Sequence, residues 1–509
     1  MNIRICTIGA LAIGAIFIII GILSLTLVPL AIDKQVIKDE HLGFDENGTY
    51  NVMTQRWIEP KYSMKLKIWT VSVSNPDDVI QNGSYPLFVE KGPYVYTEHQ
   101  KKVKVDFMRN NTRVLYRNKR YYIYNKNESC VNCSLDDWVT IPNVLFQYIA
   151  NFAAKSSPFV QKIINIALDR YKHEAPFIRV TVNQMLFEGY DDPLIDWICN
   201  NSTWIRFICK IAEIPKRVKF LENGTDDGEY LVDTGLENAE KIGRVYAWNG
   251  RNETPWWGTA QARQINGTDT QLFPPFLSAS NDLPIFLGQM GRSIYIRYEK
   301  SVLHGRIPSY RFVIPSSVYD PFLPENKGFC SDETPRYFDT DVQPQGCLPA
   351  GLFDIGRTKP GSPPIYMSGV HFYQSPPQVY QNFTGFPHPD SSQRTYIDLE
   401  PITGVIVEVF EASQINVGMI NSSLHMLNKI PRMIVPVLWM NEMISLDEYT
   451  KNDLEKITFM PLGARILGIS LVGAGIFLWA VFLIISLATI YLKRNADDET
   501  HLIEDDMEN

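Results

Sequence analysis

Charge is missing from two stretches of this 509-residue sequence: no Asp, Glu, Lys or Arg occurs from Ile5 to Ile32, and none from Ile466 to Leu492. A core helix rarely stays uncharged for about seven turns, so the second run reads as a membrane span. The first is about twice as long as the 7–15 apolar residues of a signal peptide and ends at Pro29 rather than at small residues, so it reads as an uncleaved anchor. A basic excess is lacking too, with 48 Lys+Arg against 56 Asp+Glu, which removes the electrostatic reason to expect nucleic acid. With 45% apolar and 20% charged residues, 31 Gly and 32 Pro, the chain is neither disordered nor collagen-like. Catalytic signatures are absent: there is no His-Glu-x-x-His, Gly-x-Ser-x-Gly or Gly-x-x-x-x-Gly-Lys. Asp233-Thr234-Gly235, a triplet that an aspartic protease needs twice, occurs once. The expectation is a protein that is not an enzyme and uses no metal or cofactor.

What is present orients the chain. Arg4 precedes the first run and Lys493-Arg494 follow the second, so the positive-inside bias puts both termini in the cytoplasm. The boundaries read as a cytoplasmic N-terminus 1–7, a span 8–32, a lumenal ectodomain 33–464, a span 465–492 and a cytoplasmic tail 493–509. Asn-x-Ser/Thr sequons begin at Asn47, Asn82, Asn110, Asn127, Asn132, Asn200, Asn201, Asn223, Asn252, Asn266, Asn382 and Asn421, all between the spans. Six of the seven cysteines, Cys130, Cys133, Cys199, Cys209, Cys330 and Cys347, fall there too, an even number that reads as structural disulfides with the pairing open. Cys6, at the membrane edge, reads as a palmitoylation site or an idle thiol.

Within the ectodomain, alternation over Val103, Val105 and Phe107, over Tyr121 to Tyr124, over Ile294 to Tyr298 and from Val405 to Val417 predicts antiparallel strands. Between Pro142 and Tyr171 the period changes. Val144, Leu145, Tyr148, Ile149 and Phe152, then Val160, Ile163, Ile164, Ala167, Leu168 and Tyr171, predict two amphipathic helices with inward apolar stripes, broken near Ser156-Ser157-Pro158. Thr181 and Gln184 have the spacing of a capping box. No repeat or flexible linker divides the segment, which reads as one domain.

Lys91-Gly92-Pro93-Tyr94, Gly189-Tyr190, Asn266-Gly267-Thr268-Asp269, Phe273-Pro274-Pro275-Phe276, Gly291-Arg292-Ser293-Ile294-Tyr295, the run Arg394 to Gly404 and Ile434-Val435-Pro436-Val437-Leu438-Trp439 occur in this order. In these motifs the chain resembles the class B scavenger receptors, the family of the fatty-acid translocase and the lysosomal integral membrane protein type 2. The resemblance implies an α+β fold: a large lumenal antiparallel β-barrel with short helices, an apical helical bundle at about 142–215, an apolar tunnel and two transmembrane helices. It also implies a Cys330–Cys347 bridge. A second family bridge would fall at Gly291 and Thr358, where both cysteines are missing. Cys130, Cys133, Cys199 and Cys209 are then expected to staple the apical bundle, within each pair or between them.

The function expected from the resemblance is a lysosomal or endosomal scavenger receptor that binds lipids or lipoproteins, including fatty acyl species and cholesterol, and conducts lipid towards the membrane. Lys162, Arg170 and Lys172 are the candidate ligand-binding residues, since Arg170 and Lys172 match a basic pair that family members place near anionic ligands. In the tail, Asp498 stands four residues before Leu502-Ile503, an acidic dileucine pattern for clathrin adaptor complexes. The alternatives are a sorting receptor for a lysosomal hydrolase such as β-glucocerebrosidase and, from another class, a two-span ligand-gated channel. The family's pH-sensing histidine position is matched by Pro158, leaving His173 as the nearby titrating group. A homo-oligomer is compatible with all of these readings. Residues 495–509 hold seven acids and no base, so most of the net charge of −8 belongs to the tail.

Overall fold

Both uncharged runs are helical in the computed structural model, which describes residues 3–170, 176–191, 217–422, 424 and 426–507. Helix α1 spans Ile3–Asp39, the short helices α2 and α3 span Val52–Ile58 and Pro76–Asn82, and the C-terminal helix, labelled α6 below, spans Glu448–Met507. Each is long and apolar enough to cross a membrane. The chain divides into one unit of residues 1–39 with 448–509 and a second of residues 40–447, so both helices run on beyond the expected spans. In the first unit the helices meet through glycine. A Cβ on Gly21 would come within 2.7 Å of the Gly468 carbonyl oxygen. Trp479 Nε1 donates to the Leu11 carbonyl at 3.1 Å and Ser24 Oγ to the Ala464 carbonyl at 3.0 Å. Lipid gives no hydrophobic drive for helices to associate, so close backbone approach and such hydrogen bonds supply the packing.

In the second unit the strands are β1 (Ser63–Val73), β2 (Phe88–Met108), β3 (Arg113–Tyr124), β4 (Trp138–Pro142), β5 (Phe177–Thr181), β6 (Tyr190–Asp191), β7 (Arg217–Val218), β8 (Glu229–Asp233) and β9 (Val245–Trp248). They continue as β10 (Leu283–Leu287), β11 (Arg292–His304), β12 (Ile307–Val313), β13 (Leu352–Asp354), β14 (Ile365–Ser368), β15 (Tyr396–Leu399), β16 (Ile406–Met419) and β17 (Met433–Ser445). One antiparallel sheet runs β10-β11-β12-β15-β16-β17-β1-β2-β3-β8-β9, with β14 on β16 and β13 on β14. Its two edges are bridged by the Asn266–Asp269 motif: Val245 N–H donates to the Gly267 carbonyl and Phe286 N–H to the Thr268 carbonyl. Gly267 adopts φ +93°, and a Cβ there would collide with the Pro284 carbonyl, so the closure depends on glycine. The barrel is thus nearly closed, which removes most of its exposed strand edge.

The other motifs are also structural. Phe276 and Leu277 N–H donate to the Ile402 and Pro401 carbonyls, joining the Phe-Pro-Pro-Phe loop to the Glu400–Gly404 turn. That turn closes around the Glu400 carboxylate, which accepts from Thr403 N and Oγ1, both at 2.7 Å. Trp439 of β17 stacks on Trp69 of β1 at 3.8 Å between centroids. Asp233 ends β8 in a turn, accepting from Gly235 N–H at 2.9 Å and from Tyr246 OH at 2.8 Å, which gives the protease-like triplet a structural role.

Candidate functional site

The helical insertion is held at its root by Lys91-Gly92-Pro93-Tyr94. Lys91 Nζ and Tyr94 OH both donate to Asp137 Oδ2 at 2.7 Å, and Ser134 N–H joins them at 2.8 Å, just before β4 begins. Burial opposes ionisation of Asp137, but these donors, Lys91 first, hold its carboxyl below the ordinary range. β4 pairs with β5, and between them stand α4 (Val144–Ala154) and α5 (Pro158–Arg170). Asn143 caps α4, its Oδ1 accepting from Leu145 and Phe146 N–H at 3.2 and 3.3 Å. Every residue from Val144 to Ala150 is buried, so α4 is a core helix. α5 opens on Pro158, whose fixed φ and missing N–H suit a first turn. After β5 the capping box forms, Thr181 N–H donating to Gln184 Oε1 at 3.0 Å and Gln184 N–H to Thr181 Oγ1 at 3.2 Å, ahead of a π-helical turn at Gln184–Glu188.

α5 departs from expectation. Ile164 packs against the core, but Phe159, Ile163 and Ile166 are 73%, 47% and 57% exposed. They recur at i, i+4 and i+7 and form one apolar face turned to solvent, because α4 already fills the core side. Lys162, also exposed, lies one turn from both Phe159 and Ile166. Arg170 is the last residue of α5. Its side chain, Lys172 and His173 lie outside the described residues.

The barrel interior is polar where alternation in β2 had predicted otherwise. Lys104 takes φ +54° in a bulge between Val103 and Asp106. Before the bulge Glu98, Gln100 and Lys102 face inward; after it Val105 and Phe107 do. Gln100 Nε2 donates to Glu98 Oε1 at 2.8 Å, Asn118 Nδ2 to Gln100 Oε1 at 3.0 Å and Lys102 Nζ to Gln271 Oε1 at 2.8 Å. Arg120 of β3 lies between Glu98, 3.9 Å away, and Glu442 of β17, 3.8 Å away. Burial pushes the Glu442 carboxyl well up, with the Glu98 charge adding to it, and pulls the Lys102 ammonium down to about 7. Glu411, paired in register with Glu442, is solvent-accessible and within electrostatic reach of Arg120 and Glu98. No hydrophobic pattern could signal this lining, since each residue occupies a position that alternation alone assigns to either face.

His304, Asp398 and Glu408 also converge, with His304 Nε2 2.7 Å from Asp398 Oδ2. Arg311 donates to both Asp398 oxygens, at 2.8 and 2.6 Å, so a guanidinium already occupies the place a cation would take.

Cys330 is bonded to Cys347 and Cys130 to Cys133, the latter in the loop ahead of β4. This rules out bridges from Cys130 or Cys133 to Cys199 or Cys209, both of which lie outside the described residues. Gly291 and Thr358 are neighbours, a Cβ built on Gly291 lying 3.2 Å from Thr358 Cγ2. The sequon asparagines Asn47, Asn82, Asn110, Asn127, Asn132, Asn223, Asn252, Asn266, Asn382 and Asn421 are all exposed; Asn200 and Asn201 are not among the described residues. Cys6 falls in α1, and Asp498, Leu502 and Ile503 in the last turns of α6, their side chains outside the description.

The CD36 family model matches residues 12–486. The chain is 28% identical over 472 residues to Lysosome membrane protein 2 of Rattus norvegicus, covering 91% of this chain and 93% of that protein. It is 27% identical over 439 residues to Scavenger receptor class B member 1 of Bos taurus, covering 84% and 79%. Human Lysosome membrane protein 2 is 26% identical over 454 residues, covering 89% and 88%.

Proposed function

This chain belongs to the CD36 family of membrane receptors, and on that premise we propose that it is a two-span receptor of the lysosomal or late endosomal membrane that takes up lipid through its ectodomain. The observation that carries the reading is the exposed apolar face of α5, Phe159, Ile163 and Ile166, with Lys162 beside it. Such a face attracts acyl chains while the cation attracts carboxylate or phosphate head groups, with Arg170 and Lys172 extending the basic stretch. The lysosomal assignment draws on the relatives called lysosome membrane proteins and on the Asp498, Leu502, Ile503 signal, read by clathrin adaptors.

A second reading shares the same surface. An exposed apolar helix face beside a cation also fits a protein partner, and a lumenal hydrolase is the corresponding cargo. Lipid mass spectrometry on the full chain purified in mild detergent, beside pull-down of lumenal proteins at pH 7 and pH 5, separates the two. Co-purified acyl lipids or sterol lost on Lys162→Glu with Ile163→Asp support the lipid receptor. A lipid-free preparation that retains a hydrolase overturns it.

A further inference from the structure

Arg292, in the motif that opens β11, is 8% exposed and makes no ion pair among the described residues. Among the described residues its hydrogen bonds run from Nη2 alone, to the Val318 carbonyl at 3.0 Å and to Asn326 Oδ1 at 3.3 Å. Nε is buried without a partner and has almost no accessible surface, so it is the guanidinium's charge, rather than this donor, that an anion would meet. The guanidinium is sandwiched on the Phe329 ring, 3.5 Å from its centroid, and near the Phe353 ring at 4.7 Å. Rings stabilise a cation weakly compared with an anion, and burial pulls this guanidinium down to about 9, the Tyr319 hydroxyl alone opposing the shift. A buried cation without a counter-charge is costly unless an anion offsets it.

The place for one exists. Arg292 lines a cavity of about 40 Å³ walled by Tyr319, Phe329, Phe353, Asp354 and the Cys330–Cys347 bridge. A single water needs roughly 10–15 Å³, so the space admits a compact ion. We propose that this cavity is a binding site for a small inorganic anion of chloride size, held by the Arg292 guanidinium and the Tyr319 hydroxyl. Asp354 is the opposing charge. Burial raises its carboxyl to about 6, against Arg357 and Lys155, which face it; Arg357 is itself paired with Glu333, and Glu411 faces Tyr319. Anion binding is therefore favoured as the pH falls below about 6 and Asp354 loses its charge.

The test is thermal unfolding of the full chain in detergent, with sodium chloride titrated against sodium isethionate at constant ionic strength, at pH 5 and pH 7. A saturable rise in Tm with chloride, larger at pH 5, is expected. Arg292→Gln should abolish the response and Asp354→Asn should make it the same at both pH values. If Arg292→Gln does not fold, bromide soaked into crystals of the unaltered protein gives an independent reading, an anomalous peak at the guanidinium. No chloride-specific shift, a shift that survives Arg292→Gln, an empty bromide map, or a shift produced by palmitate and not by chloride overturns the proposal.

Discussion

Asp398 shows what one buried charge requires. It is fully buried, and although burial works against its ionisation, the hydrogen bonds of Arg311 and His304 hold its carboxyl below the ordinary range. Removing Arg311 leaves that carboxylate with His304 as its remaining partner, so Arg311→Ala should cost about 3–5 kcal/mol, read by denaturant unfolding. A depressed carboxyl contributes stability above the unfolded pKa and loses it only as pH falls through the folded one. The unaltered protein therefore keeps this contribution at both pH 7 and pH 5, whereas the variant, its buried carboxyl freed to take up a proton, should recover part of the loss at pH 5; a penalty that grows on acidification would refute the assignment. Asp137 works the same way with less burial, and Asp137→Ala leaves the fully buried Tyr94 hydroxyl without its partner, a loss of about 1–3 kcal/mol.

The two helices of the insertion make opposite demands. α4 is buried nearly all round, so Leu145→Ala should destabilise by about 2–5 kcal/mol. On α5 the exposed Ile163 and Ile166 contribute little to stability, and replacing both by Asp should leave Tm within about 2 °C of the unaltered protein. If that face docks lipid, the same double variant loses co-purifying lipid by mass spectrometry; full retention removes α5 from the binding surface. The sequence predicted both helices and their break, because period and the Ser-Ser-Pro interruption are local signals. Which stripe turns inward was not local: α4 takes the core, and α5 is left with Phe159, Ile163 and Ile166 outside.

For the whole molecule the buried acids set a pH dependence. Burial raises Asp354 to about 6 and pushes Glu442, Glu400 and Asp269 upward as well. A carboxyl with a raised folded pKa holds a proton that the unfolded chain has released, so stability grows as pH falls from neutral towards about 4–5. Lys102, lowered to about 7, carries its full penalty below that pH and adds no slope there. Tm should be higher at pH 5.5 than at pH 7.5, as suits an acidic compartment; a monotonic fall on acidification would contradict these burials. Leu502→Ala with Ile503→Ala should move the protein from lysosomes to the cell surface, scored by surface labelling. The spans, the twelve sequons, the acidic tail and the strand-rich ectodomain were decided by sequence alone, because the bilayer, the glycosylation site and the β period each read residues a few positions apart. Closure of the barrel through Gly267, the inward turn of Lys102 at the Lys104 bulge and the unpaired Arg292 were decided only by tertiary structure. Each depends on which distant strand lies opposite, and no local pattern records that partner.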